Sequence, residues 1–234
     1  MSLVPLAFPV LPAGVARVSM EPERVDYAAP EARGRGGGVQ AGWPLWLASY
    51  ELERLDPDSA DLWRAFMARL RGRQRLFLGG NPERPFPRSY PLGFAGVERG
   101  TGGAFPGWAN AWSQAIDADG NALLTMTGLP AFILLSAGDY VGFKWDAAGA
   151  PVASYHRRAL TRVVAPVTAN AAGAVTAVIE PPIKTNVVPV GAVAHLDRPG
   201  CLMRQIPERS NLGSVGSGSA LSPSTLVAAQ ELWP

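Results

Sequence analysis

The sequence predicts a mainly β protein, an antiparallel sandwich or barrel with one packed α-helix and extended termini. Glycine and proline contribute 26 and 22 of the 234 residues and are spread along the chain without a period, which is typical of many short strands joined by turns. Short runs rich in β-branched and aromatic residues recur between these turn residues. A single stretch has the apolar spacing of a well-formed amphipathic helix.

The helix is predicted at about residues 58–71. Asp58 or Ser59 is suited to cap its N-terminus, and Gly72 is suited to end it. The apolar residues recur every three or four positions, so they form one stripe that a sheet can cover. The stripe consists of Leu62, Trp63, Phe66, Met67 and Leu70.

The strands are predicted from apolar runs bounded by turn residues. They lie at residues 15–20, 45–55, 74–79, 92–98, 109–116, 122–127, 140–145, 160–167, 175–179, 191–196 and 201–206. Gly138 and Asp139 form one turn, and Asn170 and Gly173 supply the positive φ of a tight hairpin turn. Residues 135–182 are therefore predicted to form a small antiparallel meander.

Composition divides the chain into three segments. Residues 1–130 are predicted to form an N-terminal β domain with an arm and the helix, and residues 131–206 a C-terminal β meander or barrel. Residues 207–234 begin with a Gly/Ser-rich stretch and are predicted to be a flexible docking tail. Since the arm at residues 1–14 is paced by prolines, we expect the arm and the tail to gain order only against other subunits.

The charge and cysteine content exclude several classes of protein. Charged residues make up 17% and hydrophobic residues 47% of the chain, with a formal net charge of +2, which suggests a surface largely covered by other subunits. The single Cys201 excludes an intrachain disulfide and a cysteine-based zinc site. The same cysteine content predicts synthesis in the cytoplasm. The apolar N-terminus lacks a basic segment and is broken by prolines, so we expect no signal peptide and no membrane insertion.

Four segments of the second half resemble one protein family. They are residues 137–140 (Ala-Gly-Asp-Tyr), 162–173 (Arg-Val-Val-Ala-Pro-Val-Thr-Ala-Asn-Ala-Ala-Gly), 179–183 (Ile-Glu-Pro-Pro-Ile) and 189–199 (Pro-Val-Gly-Ala-Val-Ala-His-Leu-Asp-Arg-Pro). In order and spacing they resemble tail-tip structural proteins of long, non-contractile-tailed phages and prophages, of the distal tail or minor tail protein kind. The resemblance covers roughly residues 43–206.

The residues that match this family are residues that shape a sheet. They are Gly138, Asp139, Gly173, Pro181 and Pro182. The pairs Lys144-Trp145 and Arg157-Arg158 depart from the pattern. The resemblance implies a fold of the tail-tube type and a structural virion protein of the tail tip or baseplate, with no catalysis and no cofactor.

The resemblance also implies the partners of the chain. In that family a homo-oligomeric ring, usually a hexamer, closes the tail tube and joins it to the hub or fibre proteins. DNA passes through such a ring only as cargo. The implied location is therefore the virion tail.

Two other classes of function stay open. Exposed tryptophans on a β scaffold stack on sugars, so Trp108, Trp112 and Trp145 are candidates for a carbohydrate- or receptor-binding module. A cryptic wall hydrolase would need paired carboxylates in a cleft, and the sequence assigns no such pair. His156 and His195 have no second His or Cys at metal-ligand spacing, so no metal site is predicted.

Five arginines crowd the end of the helix and the residues after it. They are Arg64, Arg69, Arg71, Arg73 and Arg75. A solvated helix face accounts for them, and a contact face for DNA or for an acidic neighbouring subunit is the alternative. Because a ring that passes DNA should not bind it tightly, these five arginines are predicted to face a neighbouring subunit or solvent outside the channel, and Arg69, Arg71 and Arg73 are the ones chosen to test this.

Overall fold

The computed structural model describes residues 4–11, 15–30, 36–53, 55–214 and 223–233. The strands are β1 (Leu6–Ala7), β2 (Arg17–Glu23), β3 (Asp26–Pro30), β4 (Gly36–Gln40), β5 (Leu45–Leu52), β6 (Leu76–Gly80), β7 (Ala111–Ile116), β8 (Ala122–Thr127), β9 (Leu134–Leu135), β10 (Tyr140–Trp145), β11 (Arg157–Val163), β12 (Val167–Thr168), β13 (Val175–Glu180), β14 (Val193–His195), β15 (Gly200–Gln205) and β16 (Ser224–Gln230). The α-helix, α1, is Pro57–Leu70, and short 3₁₀ helices cover Gly72–Gln74 and Pro207–Arg209. The prediction of a mainly β fold with one packed helix is confirmed.

Two six-stranded sheets make up most of the fold. Sheet one has the order β1-β6-β15-β16-β5-β2, and sheet two has the order β14-β10-β11-β13-β8-β7. Their strands pair antiparallel, except that β1 pairs parallel with β6. Two further pairs, β9 with β12 and β3 with β4, form small sheets of their own. Within the described residues no helix is long and apolar enough to cross a membrane.

Helix α1 covers one face of sheet one. Trp63, Phe66, Met67 and Leu70 are buried in the same core as Trp46, Tyr50 and Leu52 of β5. Leu62 is 53% exposed, so its predicted place in the core is wrong. At 3.6 residues per turn, Leu62 lies about 100° around the helix from Trp63 and reaches the solvent edge of the stripe.

Helix α1 begins and ends one residue earlier than predicted, and its N-cap is Asp56 instead of Asp58 or Ser59. Asp56 is the N-cap, and its carboxylate accepts from the Ser59 backbone N–H at 3.2 Å. Pro57 occupies the first helical position, where its fixed φ suits a helix start. Arg71 ends the helix in the left-handed conformation with φ 50°, so Gly72 follows the C-cap.

Sheet two curls strongly but does not close into a barrel within the described residues. The segment before β7 reaches β14 at the far edge of the sheet: Ala109 N–H donates to the Ala194 carbonyl at 2.9 Å, and Leu196 N–H donates to Gly107 at 2.8 Å. The curled sheet encloses an apolar core in which the rings of Trp112 and Phe143 lie 4.7 Å apart.

The two sheets are joined where β15 of sheet one packs on β10 and β11 of sheet two, and the side chain of Trp46 on β5 also reaches these two strands. The Trp46 indole N–H donates to the Leu160 carbonyl at 2.8 Å, and the Trp46 ring lies 5.7 Å from the ring of Tyr140. Arg162 of β11 donates two hydrogen bonds to Glu21 of β2, at 2.8 and 2.7 Å. An indole, a phenol ring and an ion pair therefore connect two separately buried cores.

The predicted meander is present, since β10, β11 and β13 pair antiparallel in chain order, but its second strand is shorter than predicted. Strand β11 ends at Val163, and β12 pairs with β9 instead of continuing it. The turn at Asn170–Gly173 therefore joins strands with different partners. Residues 92–98, predicted as a strand, contain a turn in which Val97 N–H donates to Phe94. Phe94 is buried against the rings of Phe86 and Phe105, and this aromatic packing holds the segment as a loop.

The chain ends are not docking segments where the structure describes them. Strand β16 lies between β15 and β5 in the middle of sheet one, which corrects the prediction of a flexible tail over residues 223–233. In the arm, Leu6 pairs with Phe77 and is buried, and the Phe8 ring packs 4.7 Å from Tyr50. Residues 1–3, 12–14, 215–222 and 234 of the predicted arm and tail lie outside the described residues.

The sheets also divide the chain differently from the predicted segments. Sheet one takes strands from residues 6–80 and 200–230, and sheet two takes strands from residues 111–195. Strands β7 and β8 precede the predicted boundary at residue 130 but belong to the same sheet as β10 and β11. Each sheet contributes most of one apolar core, and the core of sheet one combines residues from the beginning and the end of the sequence.

Candidate functional site

A β-hairpin projects from the edge of sheet one. Beyond the paired strands β2 and β5, the chain continues into β3 and β4, which in the described residues pair only with each other. At its base, Ala41 N–H donates to the Val25 carbonyl at 2.7 Å. Val25 is 59% and Tyr27 68% exposed, and Trp43 is also exposed. The hairpin thus exposes Tyr27 to solvent, and the residues at its base expose two further apolar side chains.

The base of this hairpin is tied to sheet two by charge. Arg24 donates to Glu180 of β13, and the neighbouring Glu21 accepts from Arg162 of β11. These two pairs fix the direction in which the ribbon leaves the sheets. The tip, including Arg33 and Arg35 of the Arg-Gly stretch, lies outside the described residues.

The predicted basic segment is exposed, but one of its arginines forms an ion pair within the protein. Arg69 and Arg71 face solvent at the C-terminal end of α1. Arg73 forms an exposed ion pair with Glu208 at 2.7 Å, and its carbonyl accepts from Arg204. The sequence analysis missed this attachment because Glu208 lies 135 positions away from Arg73.

Gly138 and Asp139 form a turn in which Asp139 is buried, and the turn is hydrogen-bonded to another loop of the protein. The Asp139 carboxylate accepts from the backbone N–H of Ser136 at 2.7 Å and of Arg88 at 3.2 Å. Burial raises the pKa of Asp139, against the effect of these donors. Gly138 has φ 91°, and its carbonyl accepts from Arg84 at 3.3 Å. The turn therefore fastens the loop after β6 to sheet two.

The other matching residues also shape the backbone. Gly173 has φ 71°, and a Cβ added there would lie 1.9 Å from the Leu129 carbonyl oxygen. Pro181 follows a cis peptide bond, and its carbonyl accepts from the Thr161 hydroxyl at 2.7 Å. Pro182 is half-buried beside it. Glycine and proline have no side-chain group that can act as an acid, a base or a nucleophile. The role of these residues in the described structure is therefore to set the geometry of the loops.

The tryptophans proposed for sugar stacking are mostly inside the protein. Trp112 and Trp145 are buried in the core of sheet two, and the Trp112 indole N–H donates to Ala192 at 2.7 Å. Trp108 is 40% exposed, but the Lys144 ammonium lies 4.8 Å from its ring centre. Two of the three candidate faces are therefore closed to a sugar, and a cation partly covers the third.

Carboxylates and histidines do not assemble into a recognisable catalytic or metal centre in the described structure. No group of three or more His, Cys, Asp or Glu side chains that could hold a metal ion occurs there. Glu21 and Glu23 line an open depression of about 350 Å³, but both Glu21 oxygens accept from Arg162. Asp117 caps its own turn, accepting from the Asn121 N–H at 2.8 Å.

A cationic cluster that sequence reasoning missed lies on sheet two. Lys144 of β10 and Arg158 of β11 are directly opposite each other, and Gly142 is opposite His195 of β14. The three polar side chains therefore share one face of the sheet. Burial lowers the pKa of Lys144 and of Arg158, and it lowers the pKa of His195 to about 3. In the sequence, the only signal of this cluster was that the residue pairs 144–145 and 157–158 depart from the pattern that the neighbouring segments resemble.

Compared with protein-family models and with curated proteins, the chain has no match to either. The functional inference therefore depends on the residues themselves. Two features could bind a partner or a ligand. They are the projecting hairpin, with the exposed apolar side chains on it and at its base, and the cationic cluster of Lys144, Arg158 and His195.

Proposed function

We propose that this protein is a structural subunit of the tail tip of a long, non-contractile-tailed phage or prophage. It forms a homo-oligomeric ring that joins the tail tube to the hub or receptor-binding apparatus. It is made in the host cytoplasm and resides in the virion tail. The observation that carries the proposal is the β3–β4 hairpin, which pairs with no other strand among the described residues and carries the exposed Tyr27, with Val25 and Trp43 exposed beside its base.

A projecting hairpin is poorly stabilised by its own contacts. Two-stranded hairpins are marginal in water unless a further surface covers them, and β4 begins with three glycines that provide no side chains to pack. Tyr27 and Val25 are available for burial against a neighbour. A head-to-tail contact, in which the hairpin of one copy lies on the next copy, is the geometry that closes into a ring.

The segments that resemble tail-tip proteins lie together in space. They fall in strands β10, β11, β13 and β14 of sheet two, in β12 of the small sheet that it forms with β9, and in the turns between these strands. Gly138 N–H donates to the Val163 carbonyl and Val163 N–H donates to the Asp139 carbonyl, each at 2.8 Å, so two of the segments are bonded directly. The resemblance therefore concerns one continuous part of the fold, which favours a shared structural role.

Native mass spectrometry of the purified chain, alone and mixed with tail fractions, tests the proposal. We expect a closed ring, with a hexamer as the expected size, and its loss in a variant that combines Tyr27→Ser and Trp43→Ser. Val152→Ser is the matched control, because Val152 is 95% exposed on another loop. A parent chain that stays monomeric with and without tail fractions contradicts the proposal, as does a double variant that assembles normally.

A DNA-binding function is the alternative that the exposed arginines raise. Under the ring proposal, Arg69, Arg71 and Arg73 contact a neighbouring subunit or solvent. Replacing all three by Gln then leaves nucleic-acid affinity unchanged and weakens assembly in a salt-dependent way. A tight DNA affinity in the parent chain that collapses in the triple variant would instead identify a nucleic-acid-binding protein.

A further inference from the structure

Two like charges face each other on the sheet at the cationic cluster. Lys144 and Arg158 are direct cross-strand partners, and like charges in this position repel. Both side chains are half-buried, so water screens them less than it screens exposed groups. No carboxylate of the described residues lies within ion-pairing distance of either cation. The Asp197 carboxylate acts on Lys144 from beyond pairing distance and offsets part of the lowering of its pKa. The positive charge is therefore only partly compensated by the protein.

Aromatic rings hold Lys144 in place. Its ammonium group lies 4.8 Å from the ring centre of Trp108 and 4.7 Å from that of Tyr155. Cation–π contacts of this kind orient an ammonium group without neutralising its charge. Lys144 is thus positioned, but its charge is still available to an anion.

The loop that carries Tyr155 is built around one carboxylate. Asp146 accepts from the backbone N–H groups of Ala153 and Tyr155, each at 2.7 Å, and from the Ser154 hydroxyl at 3.1 Å. Ala153 and Tyr155 have φ 62° and 49°, in the left-handed region that costs free energy for residues other than glycine. Such strain tends to occur at functional positions, and here it places the ring against Lys144.

Arg158 has an unused donor inside the protein. Its Nε is buried and has no hydrogen-bond partner among the described residues. His195, on the same face, supplies no compensating charge: its Nδ1 contacts the Asp197 carbonyl at 2.8 Å, and its buried Nε2 also lacks a partner. A buried donor on a cation is costly unless an acceptor reaches it.

We propose that Lys144 and Arg158 bind one oxyanion of the phosphate or carboxylate type beside the rings of Trp108 and Tyr155. The anion accepts from Arg158 and neutralises the charge that the two side chains share, as guanidinium and ammonium groups do at other oxyanion sites. The anion is either a free ion or an acidic side chain of a second copy of this chain. Anion binding here does not depend on the tail-tip function.

The full chain is titrated with inorganic phosphate at constant ionic strength, with chloride as the replaced anion. We expect saturable binding by calorimetry, an unfolding temperature that rises with phosphate concentration, and a shift of the Arg158 Nε–H resonance. Lys144→Gln and Arg158→Gln should each weaken phosphate binding about tenfold or more. Arg157→Gln removes the same charge from the next residue, which faces the other side of the sheet, and should bind phosphate like the parent.

An unfolding temperature that is equal in phosphate and chloride overturns the proposal, as does an Arg158→Gln variant with the affinity of the parent. Where a variant does not fold, an Arg158 Nε–H resonance that stays unmoved in the parent chain overturns it as well. Sedimentation distinguishes the two sources of the anion. If phosphate at constant ionic strength dissociates copies of the chain, a carboxylate of a second copy occupies the site. If association is unaffected while phosphate binds, the occupant is a free ion.

Discussion

Backbone groups, more than charged partners, satisfy the buried titratable side chains of this protein. His195 contacts the Asp197 carbonyl, and Asp139 accepts from two backbone N–H groups. These bonds fix loops in place but leave the charged form of His195 poorly solvated. The consequence at the scale of single residues is a stability that depends on pH.

His195 should make the folded state less stable in mild acid. Its pKa is about 3 in the folded protein because of burial, against an ordinary value of 6.5. The unfolded chain therefore takes up a proton between about pH 6.5 and 3 that the folded chain does not, and stability falls as pH falls through this window. At pH 5 the loss is about 2 kcal/mol relative to neutral pH. Urea unfolding at pH 7.5 and pH 5 measures it.

The matched variants for this measurement are His195→Asn and His156→Asn. The first should remove most of the decline with pH, and the second should retain it. Asp139 acts with the opposite sign, since burial raises its pKa and the folded state then holds its proton at higher pH. Equal slopes in the parent and in His195→Asn would show that another group causes the decline.

Gly173 should tolerate no side chain. It combines φ 71° with a Cβ position 1.9 Å from the Leu129 carbonyl oxygen, whereas Gly120 combines φ 86° with open space. We expect Gly120→Ala to cost about 1 kcal/mol, the conformational term alone, and Gly173→Ala to cost about 3 kcal/mol because the backbone must also move. Chemical denaturation of both variants measures the difference, and equal costs would rule out the close approach.

At the scale of elements, local interactions decide where α1 begins, and long-range interactions stabilise it against sheet one. Asp56 and Pro57 start the helix through groups within four residues of one another. The stability of the packed helix depends on distant partners: the Phe66 ring lies 5.6 Å from both Phe8 and Phe77. Phe8 belongs to the N-terminal arm, so the arm is part of the core that holds the helix.

Truncation of Phe66 should therefore be much more costly than truncation of Leu62. Phe66→Ala is expected to destabilise the protein by about 3 to 5 kcal/mol, through lost burial and the cavity left behind. Leu62→Ala, at an exposed position of the same helix, should change stability by about 0.5 kcal/mol or less. Thermal unfolding compares the two. If Phe66→Ala melts with the parent, α1 does not pack on sheet one as described.

At the scale of the whole molecule, the two ends of the chain meet in sheet one. Strand β16 pairs with β5 and β15, and Leu226 and Ala228 are buried. Sheet one is thus built from residues 6–80 and 200–230, and the residues that form sheet two are inserted between these two parts of the sequence. Among the described residues, β3 and β4 pair only with each other and belong to neither six-stranded sheet.

Removal of the last strand should destroy the cooperative fold. A chain that ends at Ser214 loses β16, which leaves β5 and β15 as unpaired edges in the centre of sheet one. We expect no cooperative thermal transition by circular dichroism, and partial recovery when a peptide of residues 223–233 is added. A truncated chain that unfolds at the temperature of the parent would show that the segment is a docking tail after all.

The sequence by itself determined the features that depend on neighbours along the chain. These are the mainly β class, the helix within two residues, strand β8 over residues 122–127, and the turns at Gly138 and Gly173. Periodicity, capping and turn chemistry act over a few residues, so a single sequence contains them. The turn at Asp117, between the strands predicted at residues 109–116 and 122–127, is local in the same way, since its own carboxylate accepts from the Asn121 N–H.

Only the tertiary structure decided which strands pair and which charges meet. Nothing near residues 223–233 indicates that they insert between β15 and β5, because the partners lie far away in sequence. The same holds for Lys144 and Arg158: their opposition follows from the register of β10 with β11, and a shift of one residue would put them on opposite faces. Strand pairing and burial are long-range properties, so the cationic cluster and the central place of β16 arise only when the whole chain is folded.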